Sequence, residues 1–529
     1  MRPGATGEPL RLPNGAYLAL AFFEGVTVMA TELLVAMMLA PLYGDSLYTW
    51  SAVLGTTLVG LAAGYYAGGV LVDRAPRAEV LLGLMLGAAA YLLVLPALLG
   101  AATSWWIEAD RLLGTIACAA IGLLPPLFLL GMVPSFLVRL LSSDARESGR
   151  VAGRVYATSS IGGVVSALAM GLVVIPELGL AIPAIVSSLV LALPPLAILL
   201  ARRRFLAGAY LLLLPLAIAN VARRNVSSSA EIRVKYYGEG LLGQVLVTEQ
   251  PLPGGSPDDF YRVLYLNRMV QSVMDGRTGL PLPSGYADYI AAFAATRPPG
   301  ARVLLLGLGG GTLLKEFVGL GFTVDAVELD ERVITAADRH FLEGVPRTGV
   351  RFLADDARHF LRTADQRYDI VVFDVFRGER PPAHVFTRES LEEVERLLSD
   401  DGLVILNLIG QMRGERSGGV RAILRTLREV GLEVQVVALA EIDNVLVIAS
   451  PKPLDLSRPR NPRYRSRLDE PIEKLLTEVG PADVAGAPVL TDDRPMLDVL
   501  YLDATEFVRR GYTRNFTERH LAASLPLFY

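Results

Sequence analysis

The sequence predicts an α-helical multi-pass membrane domain followed by an α/β, Rossmann-like, doubly wound domain that opens with a small β-sheet. Three observations carry this prediction. Of 529 residues 52% are hydrophobic, and the mean hydropathy of +0.42 is high for a chain with no membrane-buried part. Charge is unevenly spread: no lysine precedes Lys235, and the first dense charged cluster begins near Arg223. Residues 303–317, VLLLGLGGGTLLKEF, then read as a buried strand, a glycine turn and the start of a helix. The expected domains are a membrane domain at 1–223, a small β-sheet at 224–285 and the α/β domain at 286–529.

In the first half, apolar runs at 16–43, 50–72, 79–100, 112–138, 155–175 and 181–200 each match a hydrocarbon core of about 30 Å. The first run is too long for a signal-peptide core and lacks a small-residue cleavage site, so it is read as retained. Arginines gather on one side: Arg2 and Arg11 before span 1, Arg74 and Arg77 after span 2, Arg139 to Arg154 after span 4, Arg202 to Arg204 after span 6. The opposite loops carry Asp45, Glu108, Asp110 and Glu177, which places the N-terminus in the cytoplasm. Residues 205–222 form a seventh apolar run, short, with Pro215 inside it and arginines at both ends. Hydropathy favours a crossing there, while a helix dipping into the inner leaflet also fits. Glu24 and Glu32 within span 1 are costly carboxylates, read either as part of a proton or substrate path or as bundle-stabilising polar groups.

A net charge of −4 gives no basic stripe, which argues against a nucleic-acid partner. Cys118 is the sole cysteine, so neither an intrachain disulfide nor a cysteine zinc cluster can form, and no metal is expected.

The second half alternates. Segments 231–250 and 260–275 suit strands of a small sheet with a turn at GGSPDD (254–259). Strands are then expected at 302–307, 323–328, 350–353, 369–374, 402–409, 433–439 and 443–449. Helices are expected at 312–320, 331–342, 387–398 and 418–430, the pattern of a mainly parallel sheet. Gly307, Gly309, Gly310 and Gly311 fall at the carboxyl end of the first of these strands, where such sheets bind ligands. Acids end the next three: Glu328, placed to accept hydrogen bonds from ribose hydroxyls; Asp356, placed to meet an adenine amino group; and Asp374. Any one of these acids is equally readable as a loop residue or helix cap, but their order favours an adenosine ligand. The turn G-x-G-G-G-T departs from G-x-G-x-x-G, which argues against a dinucleotide.

With these residues in view, the chain resembles the spermidine synthase (polyamine aminopropyltransferase) family, in the branch fused to an N-terminal membrane region. The resemblance rests on FFEGVTVMATELLVAMMLAPLYGDSLYTW (22–50), YLNRMVQSVMD (265–275), the glycine turn, VDAVELDERV (324–333), RPPAHVFTRESLEEV (380–394) and TDDRP (491–495). Separately, GYYAGGVLVDRAPR (64–77), with Arg150, Gly153 and Arg154 later, looks like the cytoplasmic loops of major facilitator transporters, and six spans would be half of one. The synthase resemblance implies a methyltransferase-type fold, S-adenosylmethionine or its decarboxylated form as co-substrate, and alkyl transfer from the sulfonium to an amine. It implies that Gln271 contacts the thioether side of the nucleoside, Glu328 the ribose, and Asp356 with Ala357 the adenine, under a lid formed by the small sheet. Because S-adenosylmethionine is cytosolic, the α/β half is expected on the cytoplasmic side of the cell's inner membrane, with 205–222 not fully crossing. A homodimer or higher assembly is expected.

The sequence departs from the family at the acceptor half. Where the family commonly has Tyr-His-Glu, this chain has Tyr286, Ala287 and Asp288. The family turn G-G-G-D-G-G places Gly310 at its aspartate, and D-x-x-D-P places Arg377 at the second aspartate, the group expected to take the amine's proton. A cationic diamine needs carboxylates to hold it, and Arg377 instead favours an anion, so the expected acceptor is a small molecule, anionic or lipid-associated. Arg377 reads equally as a surface arginine; Asp288 and His384 are the replacement bases in reach of the same segment, with a surface histidine as the plainer reading of His384. Asp374, Arg377 and Asp288 are therefore the catalytic candidates, with Tyr286 and His384 beside Arg377 on the acceptor side. A methyltransferase, or a transporter or sensor that binds the nucleoside without turning it over, are the rival readings.

Overall fold

The protein is described by a computed structural model covering all residues except 1–9, 11, 45–46, 107–110, 143, 202–231, 241, 253–258, 282–284, 377–379, 440–443, 454–474, 495, 524, 526 and 528–529. Three expectations fall outside the described residues: the crossing at 205–222, most of the turn at 254–259, and the placement of Arg377. The chain forms two units, Met1–Ala230 with Gly238–Gln244 and Arg514–Tyr529, and Glu231–Tyr237 with Val245–Thr513.

The first unit contains helices α1 (Asn14–Tyr43), α2 (Leu47–Arg74), α3 (Ala78–Trp105), α4 (Arg111–Leu141) and α5 (Ser148–Ala169), which continues through a π-helical stretch, Met170–Val174, into α6 (Ile175–Leu178); α7 spans Ala181–Ala201. Among the described residues, six helical segments are long and apolar enough to cross a membrane, with α5 to α6 counted as one. Each expected span is present but longer, because polar ends such as Ser148–Arg154 extend the helix beyond its apolar run.

Lipid tails are as apolar as leucine, so helices in a membrane associate by close packing rather than by hydrophobic exclusion. Glycines supply it here. A Cβ added at Gly64 of α2 would lie 2.4 Å from the Phe128 carbonyl oxygen of α4, and one at Gly162 of α5 would lie 2.2 Å from the Phe22 carbonyl of α1. The backbones touch. Two polar contacts join neighbouring helices: Ser188 Oγ donates to the Ala89 carbonyl at 2.6 Å, and the Tyr43 hydroxyl lies 3.4 Å from Cys118 Sγ.

The second unit starts with a sheet of β1 (Arg233–Gly238), β2 (Val245–Pro251), β3 (Phe260–Leu266) and β4 (Met269–Asp275), in that order, with β3 antiparallel to β2 and to β4. The expected segment 231–250 thus splits in two, since the chain turns at Gly243, with φ of 95°. A two-residue turn, Asn267–Arg268, with φ of 49° and 67°, joins β3 to β4 and fixes which β4 side chains face which way. The buried face of this sheet, Val245, Val247, Leu264 and Met274, packs on Val333, Ala336 and Phe341.

The larger sheet contains β5 (Arg302–Leu306), β6 (Thr323–Glu328), β7 (Val350–Ala354), β8 (Tyr368–Phe373), β9 (Leu398–Ile409), β10 (Glu433–Leu439), β11 (Asn444–Ser450) and β12 (Thr477–Glu478), in the order β12-β10-β11-β9-β8-β5-β6-β7. Strands β9, β8, β5, β6 and β7 run parallel, and β11 is antiparallel between β9 and β10. Alternate residues of β5 face opposite cores: Val303 and Leu305 join helices Tyr286–Ala294 and Thr312–Gly319, while Leu304 and Leu306 join Arg388–Leu397 and Gly418–Glu429. The architecture is the doubly wound, methyltransferase-type α/β fold expected from the sequence. Helices Tyr286–Ala294, Ala357–Thr363 and Leu502–Ala522 were not anticipated; the first two are short, with too few turns for a clear apolar period.

Gly64→Ala should lower the thermal unfolding midpoint of the detergent-solubilised protein, with overpacking costing about 1–3 kcal/mol. Gly69→Ala, whose new methyl meets nothing within 4 Å, should match or slightly exceed the parent through its better helix propensity.

Candidate active site

Leu306, the last residue of β5, is paired with Val327 of β6 on one side and Phe373 of β8 on the other, so the chain leaves β5 at the point where strand order reverses. The turn that follows is left-handed at Gly307, Gly309 and Gly311, with φ of 88°, 52° and 75°. A Cβ at Gly307 would lie 2.1 Å from the Asp374 carbonyl oxygen. The turn therefore sits directly against the end of β8.

Glu328, ending β6, organises this turn. Its Oε2 accepts the Leu308 N–H at 3.0 Å and its Oε1 accepts the Asp330 N–H at 3.1 Å. Burial pushes the Glu328 carboxyl up from its ordinary value, and these backbone donors oppose that shift. Two bonded N–H groups still leave lone pairs on both oxygens for further donors, such as ribose hydroxyls.

From above, β4 reaches the same turn. Ser272 Oγ accepts the Gly310 N–H at 2.8 Å, and Gln271 precedes it on β4. Lys315 Nζ donates to the Gly279 carbonyl at 2.8 Å, and Arg262 Nη1 donates to the His340 carbonyl at 2.6 Å, fastening the small sheet to the helices beneath it. Ser272 was not singled out in the sequence, and no signal there marked it. Its effect is specific: Gly310 has negative φ and would tolerate a side chain, but an added Cβ would meet Ser272 Cβ at 2.7 Å.

Asp374 directly follows β8. Oδ2 accepts the Tyr286 hydroxyl at 3.0 Å, Oδ1 accepts Asn407 Nδ2 at 2.9 Å, and Asn407 Oδ1 in turn accepts Asn444 Nδ2 at 2.6 Å. Burial raises the Asp374 carboxyl above the usual carboxylate range, against the lowering effect of Asn407 and Tyr286. Tyr286 is raised well above the ordinary phenol value by the same burial and by the adjacent carboxylate. Asn407 and Asn444, on β9 and β11, were not read from the sequence, because only strand pairing brings them beside Asp374. Asp288 lies two residues along the helix that Tyr286 begins; the two bonds to the Asp374 carboxylate come from Tyr286 and Asn407.

Asp356 caps the helix Ala357–Thr363 through Oδ1, which accepts the N–H groups of Arg358 and His359, and its Oδ2 lies 3.0 Å from His384 Nε2. Burial opposes ionisation, but His384 and the two N–H groups outweigh it, so Asp356 titrates below its ordinary value. The structure thus groups His384 with Asp356, whereas the sequence grouped it with Arg377. The segment TDDRP also gains a physical role. Asp492 accepts Arg358 Nη2 at 3.1 Å and the Thr387 hydroxyl at 2.6 Å, so it ties together the starts of the helices that hold Asp356 and follow His384.

The profile of the spermine/spermidine synthase domain matches residues 284–442, spanning the glycine turn, Glu328, Asp356 and Asp374. This domain belongs to the spermine/spermidine synthase family. A polyamine aminopropyltransferase of Vibrio vulnificus is 36% identical over 115 residues, 21% of this chain and 38% of the relative. An N-terminal histidine N-methyltransferase of Emericella nidulans is 29% identical over 187 residues, 34% of this chain and 30% of the relative. The chain thus spans well under half the length of these curated relatives. Among solved structures, a probable spermidine synthase from Corynebacterium glutamicum aligns with a TM-score of 0.39 and 20% identity, over 49% of this chain and 95% of that one. The synthase-type domain is preceded by the helical half, an arrangement consistent with a fusion.

Restoring the family's aspartate by Gly310→Asp should destabilise the synthase-type domain through the clash with Ser272, and Ser272→Gly should relieve it. Thermal unfolding of both single variants and the double variant checks this; additive losses would show that Ser272 is not the obstacle.

Proposed function

We propose that the chain is a membrane-anchored transferase that binds S-adenosylmethionine or its decarboxylated form and moves an alkyl group from the sulfonium to a small acceptor. The observation that carries this reading is the half-buried Asp374 at the end of β8, whose carboxylate is held by Tyr286 and Asn407 while its backbone carbonyl lies against the Gly307 turn. The nucleoside would lie along the carboxyl edge of the sheet, with Gly309 and Gly310 allowing close backbone approach, Gln271 at the thioether, Glu328 on the ribose, and Asp356 with Ala357 at the adenine. In the transfer, the acceptor's lone pair attacks the carbon next to sulfur, the C–S bond breaks towards sulfur to leave a neutral thioether, and the acceptor's proton moves to a base. Asp374, raised by burial and oriented by two donors, is the described group suited to take it. Arg377 stands where the family places a second carboxylate, which supports an anionic or membrane-associated acceptor over free putrescine. Since such nucleosides are cytosolic, the synthase-type domain would face the cytoplasm; a C-terminal reporter active only outside the cell would refute this.

Methyl transfer is the second reading, favoured by the relative named as an N-methyltransferase, which aligns with more of this chain than the aminopropyltransferase does. The two share a nucleoside pocket and differ in the mass of the product.

Calorimetric titration with S-adenosylmethionine, its decarboxylated form and methylthioadenosine tests the site. Glu328→Ala should weaken all three by at least about tenfold, since hydrogen bonds to a charged group contribute roughly 1.5–3 kcal/mol; unchanged affinity would refute the nucleoside placement.

Asp374→Asn should cut turnover by about 10²–10⁴-fold while leaving nucleoside affinity within a few-fold. With the folded carboxyl raised, the native state holds its proton to higher pH than the unfolded chain, so stability falls as pH rises from the ordinary carboxylate range through the raised value. Asp374→Asn should remove that slope, and thermal unfolding across this pH range would show it; an unaltered slope would mean the carboxylate is not strained by burial.

A further inference from the structure

The helical half contains a cavity of about 330 Å³ between α1, α2 and α5, and Glu24 lies in its wall. Glu24 is tenth along α1 after Asn14, about 15 Å from the helix start at 1.5 Å per residue, so its carboxylate lies at hydrocarbon depth. It is only 3% exposed, and its Oε2 accepts the Ser159 hydroxyl at 2.7 Å. That is one donor for a group with about four lone-pair sites. No arginine or lysine occurs between Arg11 and Arg74, so α1 and α2 offer no counter-charge at that depth. Among the described residues no ion pair joins Glu24 to Arg150 or Arg154 of α5.

A carboxylate at this depth needs a cation or a proton as its complement. The remaining lining selects between them. Tyr65, Ser159 and Ser160 line the space together with Glu24, and the rest of its lining is apolar, Val28, Met29, Leu61 and Val164 with small residues between them. A site for a proton alone needs no room, yet this space falls in the size range of small-molecule pockets. A charged head met by a carboxylate and hydroxyls, with a chain against apolar side chains, is the chemistry of an alkylammonium ion. We infer that the cavity beside Glu24 is a binding site for a protonated alkylamine, separate from the transfer site of the synthase-type domain. It does not rest on the reading of that domain as a transferase.

The test is equilibrium binding of radiolabelled putrescine to the full-length protein in detergent, in an Asp374→Asn background that removes the carboxylate of the transfer site. One saturable site is expected. Glu24→Gln keeps the shape and removes the charge; Gly163→Leu keeps the charge and fills the cavity, since the space at Gly163 is open to 3.7 Å. Each should weaken binding at least tenfold with an unchanged thermal unfolding midpoint. If either variant unfolds early, the other decides. Saturable binding that both folded variants retain would overturn the inference, as would no binding in the Asp374→Asn protein, which would leave Glu24 with a proton only.

Discussion

The position of Gly307 has no room for a side chain, and the arrangement of the α/β half follows from that. With the Asp374 carbonyl where a Cβ would be, the backbone after β5 lies flush against the end of β8, and the chain can bend sharply enough to present its N–H groups along the sheet edge. Those N–H groups are then claimed from two directions, Leu308 by Glu328 of β6 and Gly310 by Ser272 of β4. A single turn thereby fixes Glu328, the overlying small sheet and Asp374 relative to each other. A larger residue at Gly307 would displace all three.

Two further constraints act on the same edge of the sheet. Ser272 occupies the volume that an aspartate at Gly310 would need, so the loss of that aspartate is coupled to a side chain on another strand. Asp492 bridges Arg358 and Thr387, so a segment more than a hundred residues downstream sets the position of Asp356 and its partner His384. In both cases a polar group on one element is satisfied by another far away in sequence, which fastens this edge of the sheet without any covalent link.

In the helical half the governing constraint is backbone approach. Gly25 and Gly162 let α1 and α5 touch, and that contact is what carries the Ser159 hydroxyl to Glu24. A wider separation would leave the carboxylate without its donor. Close packing and a polar cavity thus coexist because small residues bring the backbones together while Tyr65 and the serines line the space left beside them.

The sequence by itself determined the two-part organisation, the six apolar helices and the strand–helix alternation of a mainly parallel sheet, because hydrophobic period and span length are local properties of the chain. It also determined that Gly307, Glu328, Asp356 and Asp374 share one edge, since each ends a parallel strand and parallel strands present the same end. Only the tertiary structure decided which side chains meet there. The Tyr286–Asp374–Asn407–Asn444 array depends on β9 and β11 being neighbours, the pairing of His384 with Asp356 depends on how the loop after β8 returns, and the role of Asp492 depends on where the chain's last third folds back. These are contacts between residues tens to more than a hundred positions apart, and no local pattern encodes them.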